Sequence, residues 1–174
     1  VDLPTNWISR TGRDLAGAAV VFDLDGVISD ASHRQHYLVG ARSADKDWDG
    51  FFGACVDDPP IAAGVALVDA ISADITVVIL TARVFEVRDQ TIDWLSRHKV
   101  RHDWLILRGE HEGEPSTDWK RRQFEQLADA GAEVGFVLDD DPRNVAMART
   151  AGYAAMYVPS GYYTERDEGL PEFR

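Results

Sequence analysis

The chain has 174 residues, 45% of them hydrophobic and 28% charged, with a formal net charge of −12. That length suits one domain with a full core rather than two, and the acidity argues against broad electrostatic attraction to nucleic acid or anionic membrane. No apolar run approaches the ~20 residues that span a bilayer, the opening Val1-Asp2-Leu3-Pro4 lacks the pattern of a secretory signal, and the single cysteine, Cys55, reads as a small buried hydrophobe in a reducing cytoplasm.

Strands are predicted at 18–22, 75–80, 104–107, 134–138 and 154–158, and helices at 61–72, 85–98, 119–130 and 144–151. Apolar strands separated by helical stretches of this length point to an α/β fold, a central parallel sheet with helices on both faces. Two segments interrupt the alternation. Residues 29–60, inserted after the first strand, are too long for a structureless loop and predict a small organised lid. Residues 108–117, rich in Gly, Glu and Pro, predict a flexible loop beside the site.

The first strand runs into Val20-Val21-Phe22-Asp23-Leu24-Asp25-Gly26, an apolar run that ends in two carboxylates and a glycine turn. Ligands of open parallel sheets bind beyond the carboxyl ends of the strands. Asp23 and Asp25 would face one ligand if the chain stayed extended, unless the turn at Gly26 redirects the second. Two close carboxylates need a cation or a shared proton. A solvated strand-end turn would also account for this stretch alone.

The strand at 75–80 ends in Thr81-Ala82-Arg83. A hydroxyl at a strand end, followed by amides entering a helix, suits phosphate oxygens, and Arg83 adds a planar donor fork. Thr81 as a plain helix cap is the other reading. Lys120 follows Thr117-Asp118, which reads as a helix start. The strand at 134–138 delivers Asp139-Asp140-Asp141-Pro142, in which Pro142 fits the first turn of a helix and Asp141 its N-cap. Asp23 and Asp140 would supply oxygens to a hard divalent cation if their strands are neighbours. Residues 81–122 hold nine of the 18 Lys and Arg, so any anion site is expected there. No Gly-Lys dipeptide occurs, which excludes a P-loop.

As a set, Asp23-x-Asp25-Gly26, Thr81, Lys120 and Asp139-Asp140 resemble, in order, the four signatures of the haloacid dehalogenase superfamily of phosphotransferases. Thr81-x-Arg83, the spacing from Arg108 to Lys120, and the insertion containing Asp47-Trp48-Asp49-Gly50-Phe51-Phe52 and Asp57-Asp58-Pro59-Pro60 are similar to the 3′-phosphatase domain of phage-type polynucleotide kinase/phosphatases. The resemblance implies a three-layer Rossmann-like fold and Mg²⁺-dependent hydrolysis through an aspartyl-phosphate on Asp23. It implies Asp25 as acid and base, Thr81 and Lys120 holding the phosphoryl group, and Arg83 and Arg108 gripping substrate. The metal would sit among Asp23, the carbonyl of Asp25, and Asp140 or Asp139, with Asp140 preferred. The implied substrate is a nucleic-acid 3′-phosphate, with a separate kinase or ligase as a candidate partner. A phosphatase of free nucleotides or small phosphometabolites, and a non-catalytic binding domain on the same scaffold, stay open beside it.

Overall fold

Val20, Val21 and Phe22 are all buried, because their strand is covered on both faces. In a computed structural model that describes residues 3–40, 42–109 and 113–163, this strand lies in the middle of a six-stranded sheet. In chain order the strands are β1 (Trp7–Ser9), β2 (Gly17–Phe22), β3 (Thr76–Val84), β4 (Trp104–Arg108), β5 (Ala132–Asp139) and β6 (Ala155–Tyr157). They are arranged β1-β4-β3-β2-β5-β6. Every neighbouring pair is parallel except β1 with β4.

Successive strand residues feed opposite cores, as a period of two requires. Ala19, Val21, Val78, Leu80 and Ile106 pack with Trp119, Phe124 and Leu127 of α4 (Ser116–Asp129) and with Val145 and Ala148 of α5 (Pro142–Thr150). Val20, Phe22, Val77, Ile79 and Leu105 pack on the other face. Their partners are Val68 of the helix at Ala62–Asp69 and Trp94 and Leu95 of the helix at Arg88–Arg97. The result is the expected three-layer α/β arrangement. Among the described residues no helix is long and apolar enough to cross a membrane.

Four expectations need correction. The first predicted strand is the second in the chain. It is preceded by β1, whose three residues are too few to show a period and which pairs antiparallel along the β4 edge. Strand β3 runs on to Val84 through a shift of register after Leu80, so Thr81 sits inside a bulged strand and not at a helix start. The helix expected at 85–98 is a 3-10 turn, Phe85–Val87, leading into Arg88–Arg97. The loop expected at 108–117 is shorter than that range, since Arg108 ends β4 and Ser116 opens α4, and its residues 110–112 lie outside the described residues. The end of the chain beyond Tyr163 lies outside them too.

Residues 29–60 are built of short turns: 3-10 segments at Ser32–Leu38, Ser43–Asp45 and Ala54–Asp57 around the helix α1 (Trp48–Gly53). Asp47 caps α1 by accepting from the Gly50 amide at 2.8 Å. Cys55 is fully buried, as its hydrophobic reading expects. The remaining helices, α2 (Ala62–Asp69) and α3 (Arg88–Arg97), return the chain to the sheet.

Candidate active site

Strands β2 and β5 are neighbours, and their carboxyl ends carry the acids side by side. The Asp23 amide donates to the carbonyl of Leu138 at 2.8 Å, which locks the two strand ends in register. One oxygen from each of Asp23, Asp139 and Asp140 then falls within 4.8 Å of the others, and all three residues are buried. Lys120, in the second turn of α4, reaches this cluster: Nζ lies 2.6 Å from Asp139 Oδ2 and 3.1 Å from Asp23 Oδ1.

Asp139 and Asp140 differ in their partners. Asp139 accepts from Lys120, from Asn144 Nδ2 at 3.1 Å and from the Asp141 amide at 2.9 Å. Asp140 Oδ2 is buried and has no partner among the described residues. Asp141 is turned away as the N-cap of α5, accepting from the Arg143 amide at 2.9 Å with Pro142 following in the first turn. The expected cap is in place.

Asp25 has left the cluster. The backbone turns at Gly26, φ +80°, and Asp25 Oδ1 accepts from Arg34 Nη2 at 2.7 Å and from Arg83 Nη2 at 2.6 Å and Nε at 3.0 Å. Both arginines also bind Asp58: Arg34 Nε at 2.8 Å, Arg34 Nη2 at 2.8 Å and Arg83 Nη2 at 2.8 Å. Ser29 Oγ donates to Asp58 at 2.6 Å and accepts from Arg83. Two cations and two anions thus balance in a buried knot, each charge with several partners, as burial of ions requires.

These surroundings separate the proton affinities. Burial raises Asp23 to about 7, with Lys120 opposing and the Asp139 and Asp25 charges adding to the rise. Burial and the charges of Asp23 and Asp139 raise Asp140 to about 9. Burial would also raise Asp25, but Arg83 and Arg34 outweigh it and hold the group at about 2. Burial works to lower the Lys120 ammonium, yet Asp139 and Asp23 hold its pKa above the ordinary value.

Asp23, Asp25, Thr81, Arg108, Lys120 and Asp140 line one cavity of about 960 Å³. Asp139 stands behind Lys120 and does not line it. Neither does Arg83, which is fully buried against Asp25 and Asp58. Its Nη2 is taken up by Asp25, Ser29 and Asp58, whereas the resemblance expects the side chain to grip substrate. Arg108 donates to the Glu114 carbonyl at 2.7 Å and lies 5.3 Å over the Trp119 ring. Most of the other basic residues of 81–122 serve the chain itself. Arg97 and Arg101 donate to the carbonyls of Val56, Ile71 and Ile75, and Arg88, Arg121 and Arg122 pair with Asp89, Asp118 and Glu114.

Sequence reasoning missed Arg34 and Asp58, which complete the knot around Asp25, and Tyr162 and Tyr163, which line the cavity from beyond the last predicted strand. The local signals for the first two were the charge in His33-Arg34 and the Asp57-Asp58-Pro59-Pro60 segment of the resemblance, which assigned Asp58 no role.

A match to the family described as the polynucleotide kinase PNKP phosphatase domain covers residues 17–163. No individual curated protein sequence matches. Among solved structures, a chain of a Pnkp1/Rnl/Hen1 complex superimposes with a TM-score of 0.68 at 22% identity, covering 82% of this chain and 45% of that one. A second, from the Pnkp1/Rnl/Hen1 RNA repair complex, gives 0.69 at 20%, covering 90% and 47%. The class C acid phosphatase from Bacillus anthracis with tungstate bound gives 0.56 at 18%, covering 87% and 70%. At these identities the likeness is one of fold, and the chain spans about half the length of the chains that it matches in the two complexes. The family match over most of its length shows that the chain belongs to the polynucleotide kinase PNKP phosphatase domain family, as a phosphatase of the haloacid dehalogenase type.

Proposed function

We propose that the chain removes 3′-phosphates from nucleic-acid ends in a Mg²⁺-dependent reaction through a phosphorylated Asp23. The carrying observation is the placement of Asp23: a buried carboxylate at a strand end, 3.1 Å from a buried ammonium, on the wall of an open cavity. The family of PNKP phosphatase domains supports the substrate class.

The donor set fits a hard divalent cation. Three carboxylates converge, Asp140 Oδ2 has no partner, and the protons that Asp23 and Asp140 retain are those a cation would replace. Asp23, Asp140 and the Asp25 carbonyl would hold it, with Asp139 left to Lys120. When bound, it supplies charge stabilisation at the displacement centre.

In the first step an Asp23 oxygen attacks phosphorus, the bond to the leaving oxygen breaks, and that oxygen takes a proton from Asp25. In the second step water attacks the phosphorus of the aspartyl-phosphate, gives its proton to Asp25 and frees Asp23 and orthophosphate. Bound to two arginines, Asp25 is a carboxylate, the form needed for the second step. Acid duty in the first requires that one of those contacts loosen, which raises its pKa. Lys120 and Thr81 steady the transferring group, Arg108 meets substrate, and Arg83 with Arg34 positions Asp25. Residues 29–60, part of the same wall, act as the lid. The fold relatives seen in an RNA repair complex with Rnl and Hen1 support a repair setting in which separate end-processing proteins work beside this chain.

A second reading, hydrolysis of free nucleotides or small phosphometabolites, is favoured by the fact that, among the described residues, most cations of 81–122 pair or hydrogen-bond within the chain. The experiment is phosphate release with Mg²⁺ from a 3′-phosphorylated oligonucleotide, its 5′-phosphorylated counterpart, 3′- and 5′-mononucleotides and sugar phosphates, with Asp23→Asn as the blank. Preference for the 3′-phosphorylated oligomer supports the first reading. Preference for a mononucleotide or sugar phosphate replaces it with the second, and no Asp23-dependent release from any substrate removes both.

A further inference from the structure

The cavity has two chemically different sides. Around Asp23 it is ionic: Lys120 pairs with Asp139 and Asp23, Arg143 with Asp141, and Arg108 donates to the Glu114 carbonyl. The side supplied by residues 29–60 is aromatic. Trp48 stacks on Phe52 with centroids 5.9 Å apart and planes 24° apart, and Phe51 stands edge-on to both at 6.2 Å and 5.4 Å. Phe51 is fixed beneath by the Arg34 guanidinium, 4.2 Å from its ring centre, so the aromatic cluster is anchored to the knot that holds Asp25. Trp48 keeps 37% of its surface exposed, unlike the buried Trp94 and Trp119, and its ring lies 5.5 Å from Lys46 Nζ. All three rings line the cavity that Asp23 lines.

A half-exposed tryptophan on a firm aromatic base, continuous with a phosphoryl-transfer site, is a surface shaped for a flat π-system. A sugar phosphate offers none. A nucleotide offers one on the far side of the sugar from its phosphate.

We propose that Trp48 and Phe52 form a stacking platform for the base of the nucleotide whose phosphate reaches Asp23, so that the substrate is held by its terminal base rather than by a row of phosphate contacts. This rests on the 3′-phosphatase reading above. It gives a chain of net charge −12 a hold on a polyanion that does not depend on charge: stacking is indifferent to charge and tolerant of base identity. It assigns the lid a recognition task separate from the chemistry.

The test compares two oligonucleotides carrying the same 3′-phosphate. One ends in an ordinary nucleotide and the other in a tetrahydrofuran abasic unit, and each is hydrolysed by the whole chain with fixed Mg²⁺. The wild type is expected to favour the base-bearing end by roughly 5- to 150-fold in kcat/KM, the range one stacked base supplies. Trp48→Ala removes most of that preference through KM, leaves the abasic substrate within about twofold, and Trp48→Phe restores most of the loss. The slope of log kcat/KM against log salt is expected to be shallow, about −0.7 for each phosphate contacted and no more than about two contacts. Equal turnover of the two ends by the wild type overturns the platform while leaving the 3′-phosphatase reading intact. So does an equal loss on both substrates in Trp48→Ala, or a salt slope steeper than about −3. Hydrolysis of sugar phosphates with none of any 3′-phosphorylated nucleotide or oligomer overturns both.

Discussion

Between Asp23 and Asp25 the chain advances two residues, yet the first carboxyl is pushed up to about 7 and the second held at about 2. Neighbours set the difference, and Gly26 chooses the neighbours. Its positive φ turns the chain toward Arg34 and Arg83, and its missing side chain leaves room for Asp140, whose Oδ2 lies 2.0 Å from where a Cβ would stand. Gly26→Ala therefore meets strain and collision together. The variant is expected to lose about 1–3 kcal/mol of stability and at least about 100-fold in phosphate release, the scale of a 1 Å misplacement in an active site. Thermal melting shows whether it remains folded while the activity falls; near wild-type turnover would refute the importance of the Gly26–Asp140 contact. The placement of Asp23, Asp139 and Asp140 was legible in the sequence because each follows a local rule, an apolar strand ending in acid, and Lys120 was picked out by the resemblance. Arg34 and Asp58 were not. A buried ion pair formed 24 residues apart leaves no period and no turn signal, and each member alone reads as a solvated charge.

At the scale of elements, α2 holds the turn from behind. An ideal Cβ on Gly64 would stand 1.9 Å from the Val27 carbonyl oxygen and 3.0 Å from Ile28 Cα, so the helix rests on the backbone that follows Gly26. Alanine is the better helix former by about 1 kcal/mol, but here its methyl meets backbone, which cannot step aside. Gly64→Ala is expected to lose about 1–3 kcal/mol by overpacking, measured by urea denaturation. Gly53, at the end of α1, is right-handed helical with nothing within 4 Å of its Cβ direction, and Gly53→Ala should gain about 0.4–1 kcal/mol. Equal effects of the two substitutions would remove the packing argument. The parallel strands and four flanking helices could be read from alternating apolar runs, because burial on both faces makes such runs long and distinct. Strand β1 could not, being an edge of three residues. Nor could the continuation of β3 through Thr81, where a strand bulges at its functional end and the apolar signal stops before the hydrogen bonding does.

For the molecule as a whole, the acid excess and the parallel sheet combine to gather carboxylates at one end, and the fold is left with charge that only protons or a cation relieve. The acidity was open to view in the composition and the α/β architecture in the alternation of elements, while the balance of charge inside the site depends on which strands become neighbours. Asp23 and Asp140 have folded pKa values raised above the ordinary 3.8, to about 7 and about 9, so between those limits the folded chain binds protons that the unfolded chain has released. Stability from these groups is then complete below the unfolded value and is lost as pH rises through the folded ones. Without metal, the melting temperature should fall between pH 5 and pH 8 as far as these two groups determine it. Asp25, held at about 2, works in the opposite sense but only in acid, where its contribution is lost as pH drops below the unfolded value, and so it is constant across this window. A divalent cation takes the place of the missing protons, so Mg²⁺ should stabilise the protein at pH 8 and much less at pH 5, where protons compete for the same oxygens. At about 100 times its dissociation constant a ligand contributes about 2.7 kcal/mol, which for a domain of this size is a rise of about 5–10 °C. Asp140→Asn needs no proton to be neutral in that position. It should raise the metal-free melting temperature at pH 8 and abolish most of the Mg²⁺ response, whereas a wild-type response equal at the two pH values, or one that survives Asp140→Asn, would place the cation elsewhere than among these carboxylates.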